Sequence, residues 1–355
     1  MASSSSRAAA VLVLAISFAA ALISSATVTV NEPIADGLSW SFYDASCPSV
    51  EGTVRWHVTE ALRRDIGIAA GLIRIFFHDC FPQGCDASVL LSGSNSEQLE
   101  VPNQTLRPEA LKLIDDIRAA LHRACGPKVS CADITTLATR DAVVASGGPY
   151  FDVPLGRRDG FAPASSDLVG TLPAPTFDVP ALIEAFKNRS LDTADLVALS
   201  GAHTVGRGHC ASFSDRLPPN VDDTIDPAFR QKLTAKCAKD PNANQVLDVR
   251  TPNAFDSKYY SDLLAKQGLF KSDQGLMDHP ATKRMATRFS LNQGAFFDQF
   301  ARSMVKMSQM DVLTGNKGEI RRLSCAVRNA RAAAASSAAA GLVHTAADEG
   351  LAAEA

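Results

Sequence analysis

Arg74 and His78 stand four residues apart in the run Gly71-Leu72-Ile73-Arg74-Ile75-Phe76-Phe77-His78-Asp79-Cys80-Phe81. On a helix that spacing puts both side chains on one face. A fixed cation beside an imidazole suits heterolysis of a peroxide bond: the base moves a proton from one oxygen to the other, and the cation stabilises the departing hydroxide. Taken alone, such a pair is more often a solvated helix face. A second histidine, His203, follows the run Asp195-Leu196-Val197-Ala198-Leu199-Ser200-Gly201-Ala202, whose small last residues leave room for a flat cofactor. A neutral imidazole there can ligate haem iron through Nε2 once another group fixes Nδ1. The plain alternative is a core histidine bonded to backbone. Oxygen-rich clusters recur beside each histidine. Hard oxygen donors suit calcium better than softer metals, although the same acids also serve in turns and caps.

The elements that must hold these groups are helices. From Glu51 to Phe77 apolar residues recur at helical spacing (Val54, Val58, Ala61, Leu62, then Ile68, Leu72, Ile75, Phe76), which predicts two helices meeting near Gly67. Further helical patterns cover Pro108 to Ala124, Cys131 to Ala145, Val179 to Asn188, Thr193 to Ser200, Ser257 to Lys266 and Gly294 to Met307. Gly147 to Pro154 and Ser165 to Pro175 read as ordered loops, and strand signals are sparse. The fold class is mainly α.

With 355 residues, 46% hydrophobic and 21% charged, the chain can bury one large core or two packed lobes. A net charge of -3 with scattered Lys and Arg gives no footprint for nucleic acid or anionic lipid, so small molecules are the expected partners. Arg7, the apolar stretch Ala8 to Ile23 and the small residues Ser24, Ser25 and Ala26 form a secretory signal peptide over residues 1–26, too short and Ala-rich to span a bilayer. Eight cysteines (Cys47, Cys80, Cys85, Cys125, Cys131, Cys210, Cys237, Cys325) in an oxidising export route predict four disulfides. Spacing alone leaves on the order of 100 pairings open. No C-x-x-C-H occurs, so haem would be bound without a thioether link. Residues 330–355 form an Ala-rich tail, too poor in large apolar side chains to build core; a frayed helix or a targeting propeptide are the two readings.

The two histidine segments, the opening Leu38-Ser39-Trp40-Ser41-Phe42-Tyr43-Asp44-Ala45-Ser46-Cys47-Pro48 and the stretch Leu155-Gly156-Arg157-Arg158-Asp159 together resemble the class III plant secretory haem peroxidases. The resemblance runs from about Leu38 to Asn329, with residues 27–37 as a short N-terminal segment before the peroxidase domain at 38–329. It implies a two-lobed helical fold with b-type haem between a distal and a proximal half. It implies the pairs Cys47 with Cys125, Cys80 with Cys85, Cys131 with Cys325 and Cys210 with Cys237.

By the same resemblance His203 is the axial iron ligand and Asp273 accepts from its Nδ1, while Arg74, His78 and Asn103 are catalytic and Phe77 walls the distal pocket. One calcium would take Asp79, Pro82, Gly84, Asp86, Ser88 and, through water, Glu97; a second would take Thr204, Asp248, Thr251, Ala254 and Asp256. The Pro173 carbonyl would accept from a phenolic donor, with Ser212 and Phe213 near the donor entrance. Asn103-Gln104-Thr105 is also a glycosylation sequon, incompatible with a buried partner of His78, so Asn188-Arg189-Ser190 is the expected glycan site. The implied enzyme is a secreted monomer that reduces hydrogen peroxide and oxidises small phenolic donors. Cell wall or extracellular space is the expected location, with the vacuole an alternative through the tail.

Overall fold

The computed structural model describes residues 27–30, 32–220 and 222–330, so the signal peptide and nearly all of the tail lie outside the described residues. A first helical group comprises α1 (Val50–Arg64), α2 (Ile68–Cys80), α3 (Pro108–Cys125) and α4 (Cys131–Ala145). A short α5 (Ser166–Val169) leads to a second group: α6 (Val179–Lys187), α7 (Thr193–Ser200), α8 (Pro227–Lys239), α9 (Lys258–Leu264), α10 (Lys271–Asp278), α11 (Pro280–Leu291) and α12 (Gln293–Met307). Strands are minor: β1 (Thr27–Val28) pairs in parallel with β2 (Tyr150–Phe151), and β3 (Arg207–His209) pairs antiparallel with β4 (Asn244–Val246).

The hydrophobic pattern explains the layering. Almost every residue of α4 is buried, because it lies against α1, α2 and α3 at once. On α2 the partly open positions are Ala70, Arg74, Phe77 and His78, which form a single stripe at i, i+4, i+7 and i+8 while the rest of the helix is core. In the second group α7 packs on α6, α11 and α12, starting from a capping box between Asp192 and Asp195. One continuous core joins the two groups, and a smaller core gathers Phe213, Phe229, Leu233 and Leu247 around α8 and the β3–β4 pair.

Four disulfides staple this frame: Cys47–Cys125, Cys80–Cys85, Cys131–Cys325 and Cys210–Cys237, the pairing that the resemblance implies. The Leu155–Asp159 stretch is a clasp. Fully buried Arg157 donates to Asp133 Oδ1 on α4 at 2.8 Å and to the Ser308 carbonyl beyond α12, and Asp159 accepts from the backbone of Ala132 and Arg321. Removing one partner of such a buried pair costs about 3–5 kcal/mol, which accounts for the motif without a catalytic role.

Several elements differ from the sequence pattern. Helices α8 and α11 give a weak apolar signal: α8 buries only Phe229 and Leu233, and the α11 stripe of Thr282, Ala286 and Phe289 has a single large apolar residue. Ser165–Pro175 is not wholly loop, since Ser165 caps the single turn of α5, and the Gly147–Pro154 segment contains β2. The packed body also begins before Leu38: Val28 is buried in the main core, and Ala35 N donates to Gln309 Oε1 at 2.7 Å.

Candidate active site

The open stripe of α2 carries the first constellation. Arg74 donates through Nη1 to the Thr105 carbonyl and through Nη2 to the Pro102 carbonyl, both at 2.8 Å, and its Nε lies 3.4 Å from His78 Nε2. Neither carbonyl neutralises it, and among the described residues Arg74 forms no ion pair with a carboxylate. Its positive charge is therefore held in place and left uncompensated.

His78 Nδ1 lies 2.6 Å from Asn103 Oδ1. The Asn103 amide is oriented by its own second bond, Nδ2 to the Glu97 carbonyl at 2.9 Å, which turns Oδ1 toward the ring. An amide oxygen only accepts, so Nδ1 carries the proton and the lone pair of the neutral ring sits on Nε2, beside Arg74. Burial and then the Arg74 charge push the His78 pKa down to about 3, against the opposing pull of Asn103. The ring is neutral across the ordinary pH range, with its Nε2 lone pair unprotonated. Asn103 itself is 1% exposed, so its sequon is sterically closed, whereas Asn188 at the end of α6 is exposed. Phe77 packs beside this site, its ring 5.0 Å from that of Phe81 and edge-on to His78.

The second constellation sits on the 3-10 turn Gly201–Thr204 that ends α7. His203 Nδ1 donates to Asp273 Oδ1 at 2.6 Å, and Asp273 is 1% exposed at the start of α10. Asp273 Oδ2 accepts from Phe270 N at 2.9 Å, and Oδ1 also accepts from the Tyr259 hydroxyl at 3.0 Å. The His203 side chain is 37% exposed, its Nδ1 is engaged and its Nε2 makes no hydrogen bond among the described residues. The turn packs tightly: a Cβ on Gly201 would run into Phe296 and the Tyr260 hydroxyl, and one on Gly206 would meet Ala70 of the α2 stripe at 3.0 Å. That contact brings the segment after His203 against the helix that carries His78.

Two clusters of oxygens flank the histidines. Asp79, Asp86, Ser88 and Glu97 are all buried, and Ser88 Oγ and Glu97 Oε2 have no hydrogen-bond partner. Burial, reinforced by the charge of Asp86, raises the Asp79 pKa well above the carboxylate range, and burial raises those of Asp86 and Glu97. Buried carboxylates with unpartnered oxygens are relieved either by protonation or by a cation. Pro82 and Gly84 lie in the turn closed by Cys80–Cys85, with Gly84 at φ +123°. In the other cluster Thr204 Oγ1 lies 3.0 Å from Asp248 Oδ2 and 3.4 Å from both the Ala254 carbonyl and Asp256 Oδ1. Thr251 Oγ1 reaches the same two carboxylates at 3.3 and 3.1 Å.

Pro173 is half-buried after α5; Ala174 and Pro175 accept from Phe177 N and Ser272 N, bonds in which the Pro173 carbonyl takes no part. In the segment around Ser212 and Phe213 the Phe213 ring is buried in the smaller core, while Ser212 is half-buried and Ala211 and Ser214 are exposed. Tyr259 and Phe270, whose rings flank His203 edge-on at 6.1 and 5.5 Å, were not readable as site residues. The apolar period of α9 marks Tyr259 only as core.

A family model described as Peroxidase matches residues 54–292. Among curated relatives, Cationic peroxidase SPC4 of Sorghum bicolor is 52% identical over 325 residues, covering 90% of each chain. Peroxidase 12 of Arabidopsis thaliana is 50% identical over 304 residues, 84% of this chain and 85% of that protein. Peroxidase 66 of Zea mays is 44% identical over 292 residues, 81% of this chain and 89% of that one.

Proposed function

This chain belongs to the peroxidase family as a class III plant peroxidase, an enzyme that uses hydrogen peroxide to oxidise donor substrates, and from that premise we propose which of its residues do the work. The family is a haem family of secreted enzymes, and no helix among the described residues is long and apolar enough to cross a membrane. The residues fit the cofactor: His203 offers a free Nε2 on a partly exposed ring whose other nitrogen is tied to a buried carboxylate. His203 would hold the iron of a b-type haem through Nε2, with Asp273 fixing its Nδ1 and Phe77 packed beside His78 in the pocket wall. When bound, haem supplies a redox centre that accepts two oxidising equivalents from peroxide and passes them on singly.

The protein's own steps are proton steps. His78 Nε2 takes a proton from one peroxide oxygen and delivers it to the other, and Arg74 stabilises the negative charge on the oxygen that leaves as water. A base with so low a pKa releases its proton readily, which suits the second half of the transfer. Two donor molecules each lose one electron and one proton, so one peroxide yields two waters and two donor radicals. The observation that carries this reading is the oriented Asn103 amide, which leaves the His78 lone pair facing an uncompensated Arg74. Stopped-flow mixing of the haem-loaded, calcium-replete protein with hydrogen peroxide tests it. Rapid bleaching of the resting haem band, restored in two steps by guaiacol, is expected of the wild type; a haem band unmoved by peroxide rules the reading out.

Asp79, Asp86, Ser88, the carbonyls of Pro82 and Gly84 and, through water, Glu97 hold one calcium; Thr204, Asp248, Thr251, Asp256 and the Ala254 carbonyl hold the other. The orphaned oxygens of Ser88 and Glu97 support the first site, and the convergence on Thr204 Oγ1 supports the second. Donors are phenolic and bind at the Pro173 carbonyl. Residues 1–26 are cleaved on export, 38–329 form the catalytic domain, Asn188 carries a glycan and the enzyme is a monomer. Its setting is the cell wall or extracellular space, in lignin metabolism, peroxide removal and oxidative stress, with the vacuole the alternative if the 330–355 tail is a targeting propeptide.

A further inference from the structure

Asp273 Oδ1 accepts two hydrogen bonds, from His203 Nδ1 at 2.6 Å and from the Tyr259 hydroxyl at 3.0 Å. A buried tyrosine needs one acceptor for its hydroxyl, and a backbone carbonyl suffices. Tyr260, the next residue, uses that ordinary solution: its hydroxyl donates to the Val197 carbonyl at 2.8 Å. Tyr259 instead donates to the oxygen that His203 already uses. The Tyr259 ring is 1% exposed and lies edge-on to the imidazole, so the contact is locked by packing. Burial and the Asp273 charge raise the Tyr259 pKa, which keeps the hydroxyl protonated and donating. Its helix is anchored at the same end, where Lys258 N donates to Asp256 Oδ1 at 2.7 Å.

We infer that Tyr259 is a positioning residue that tempers the basicity of Asp273 and so limits how much electron density His203 gives to iron. A carboxylate oxygen shared with a second donor is a weaker acceptor for the imidazole N–H. The ring then has less anionic character, the ferric state is less favoured, and the reduction potential stands higher than the His203–Asp273 pair alone would set it. This rests on the reading of His203 as the axial ligand.

The test is the Fe(III)/Fe(II) midpoint potential and the ferrous Fe–His stretching frequency of haem-loaded protein, measured for wild type, Tyr259→Phe and Tyr260→Phe. Tyr259→Phe should shift the potential down and the stretching frequency up, while Tyr260→Phe leaves both in place. Asp273→Asn, which removes the shared charge, should shift the potential up, and adding Tyr259→Phe to it should then produce a much smaller change than in wild type. An unchanged or raised potential in Tyr259→Phe overturns the inference, as does an equal change in the two backgrounds. Absence of any Fe–His band in the wild type overturns the axial assignment itself, which keeps the two failures apart.

Discussion

His78 and His203 are both gripped through Nδ1 at 2.6 Å, the one by the amide oxygen of Asn103, the other by the carboxylate of Asp273. The neutral amide fixes a tautomer without adding charge, and burial, with Arg74 alongside, lowers the His78 pKa to about 3. The carboxylate adds a full negative charge within reach of the proton and makes its ring an electron-rich donor. On the proposed reading one residue type serves as a proton carrier on one side and a metal ligand on the other, with the group behind the ring setting the chemistry.

The harshest break in that contrast is to remove the proton carrier. His78→Ala should slow the reaction with peroxide by roughly 10²–10⁴-fold while leaving the resting haem spectrum close to wild type, because His203 is untouched. The corresponding His203→Ala should instead lose the axial ligand and with it stable haem retention. Second-order rate constants from stopped flow, set beside haem content, distinguish the two; equal haem loss in both would erase the division of labour.

A subtler change gives the first histidine the second one's partner. Asn103→Asp should raise the His78 pKa by roughly one to three pH units. Only the neutral ring can act as base, so the peroxide reaction is lost as pH falls through that pKa. The acid limb should therefore move upward from about 3 in wild type. A profile between pH 3 and 8 measures it, and an unmoved limb would mean that another group controls the titration.

How far the sequence reaches is visible in these same residues. Arg74 and His78 could be paired from helical spacing because one stripe of α2 holds both, and the helices of the first group announce themselves by long apolar periods. Asn103 and Asp273 lie 25 and 70 residues from the histidines they hold, on elements whose local pattern says only turn or helix start. They came through resemblance, because spacing carries no information about contacts the chain makes on folding back. Tyr259 escaped both routes: its apolar body satisfies the core pattern, and only the structure reveals where its hydroxyl points. Helix α8 escaped for a different reason, since its two buried residues make less than a stripe.

The oxygen clusters permit a smaller test. Without a cation, Asp79, Asp86 and Glu97 have pKa values raised by burial, so the folded state binds protons more tightly than the unfolded chain. That contribution is fully present below the unfolded carboxylate pKa near 4 and is lost as pH rises through the folded values. Chelated protein should therefore melt higher at pH 5 than at pH 7. Removing a calcium present at about 100 times its Kd costs about 2.7 kcal/mol per site, a fall of roughly 4 °C per site at pH 7 for a domain of this size. Thermal scans with and without EDTA at the two pH values would show this, and no difference on chelation would remove calcium from the account.

The least perturbing experiment reads the two sequons. Asn103 is buried with both amide atoms engaged, and Asn188 is exposed at the end of α6. Glycopeptide mass spectrometry of protein exported by a plant cell should find a glycan at Asn188 and none at Asn103. Asn188→Gln should lower the mass by one glycan and leave the peroxide rate within about twofold of wild type, since surface substitutions away from such features usually fall within ±0.5 kcal/mol. A glycan at Asn103 would be the more damaging result despite its small size. An amide carrying a sugar cannot also sit 2.6 Å from His78 Nδ1 in a closed interior, and the distal ring would then have neither its tautomer nor its aim.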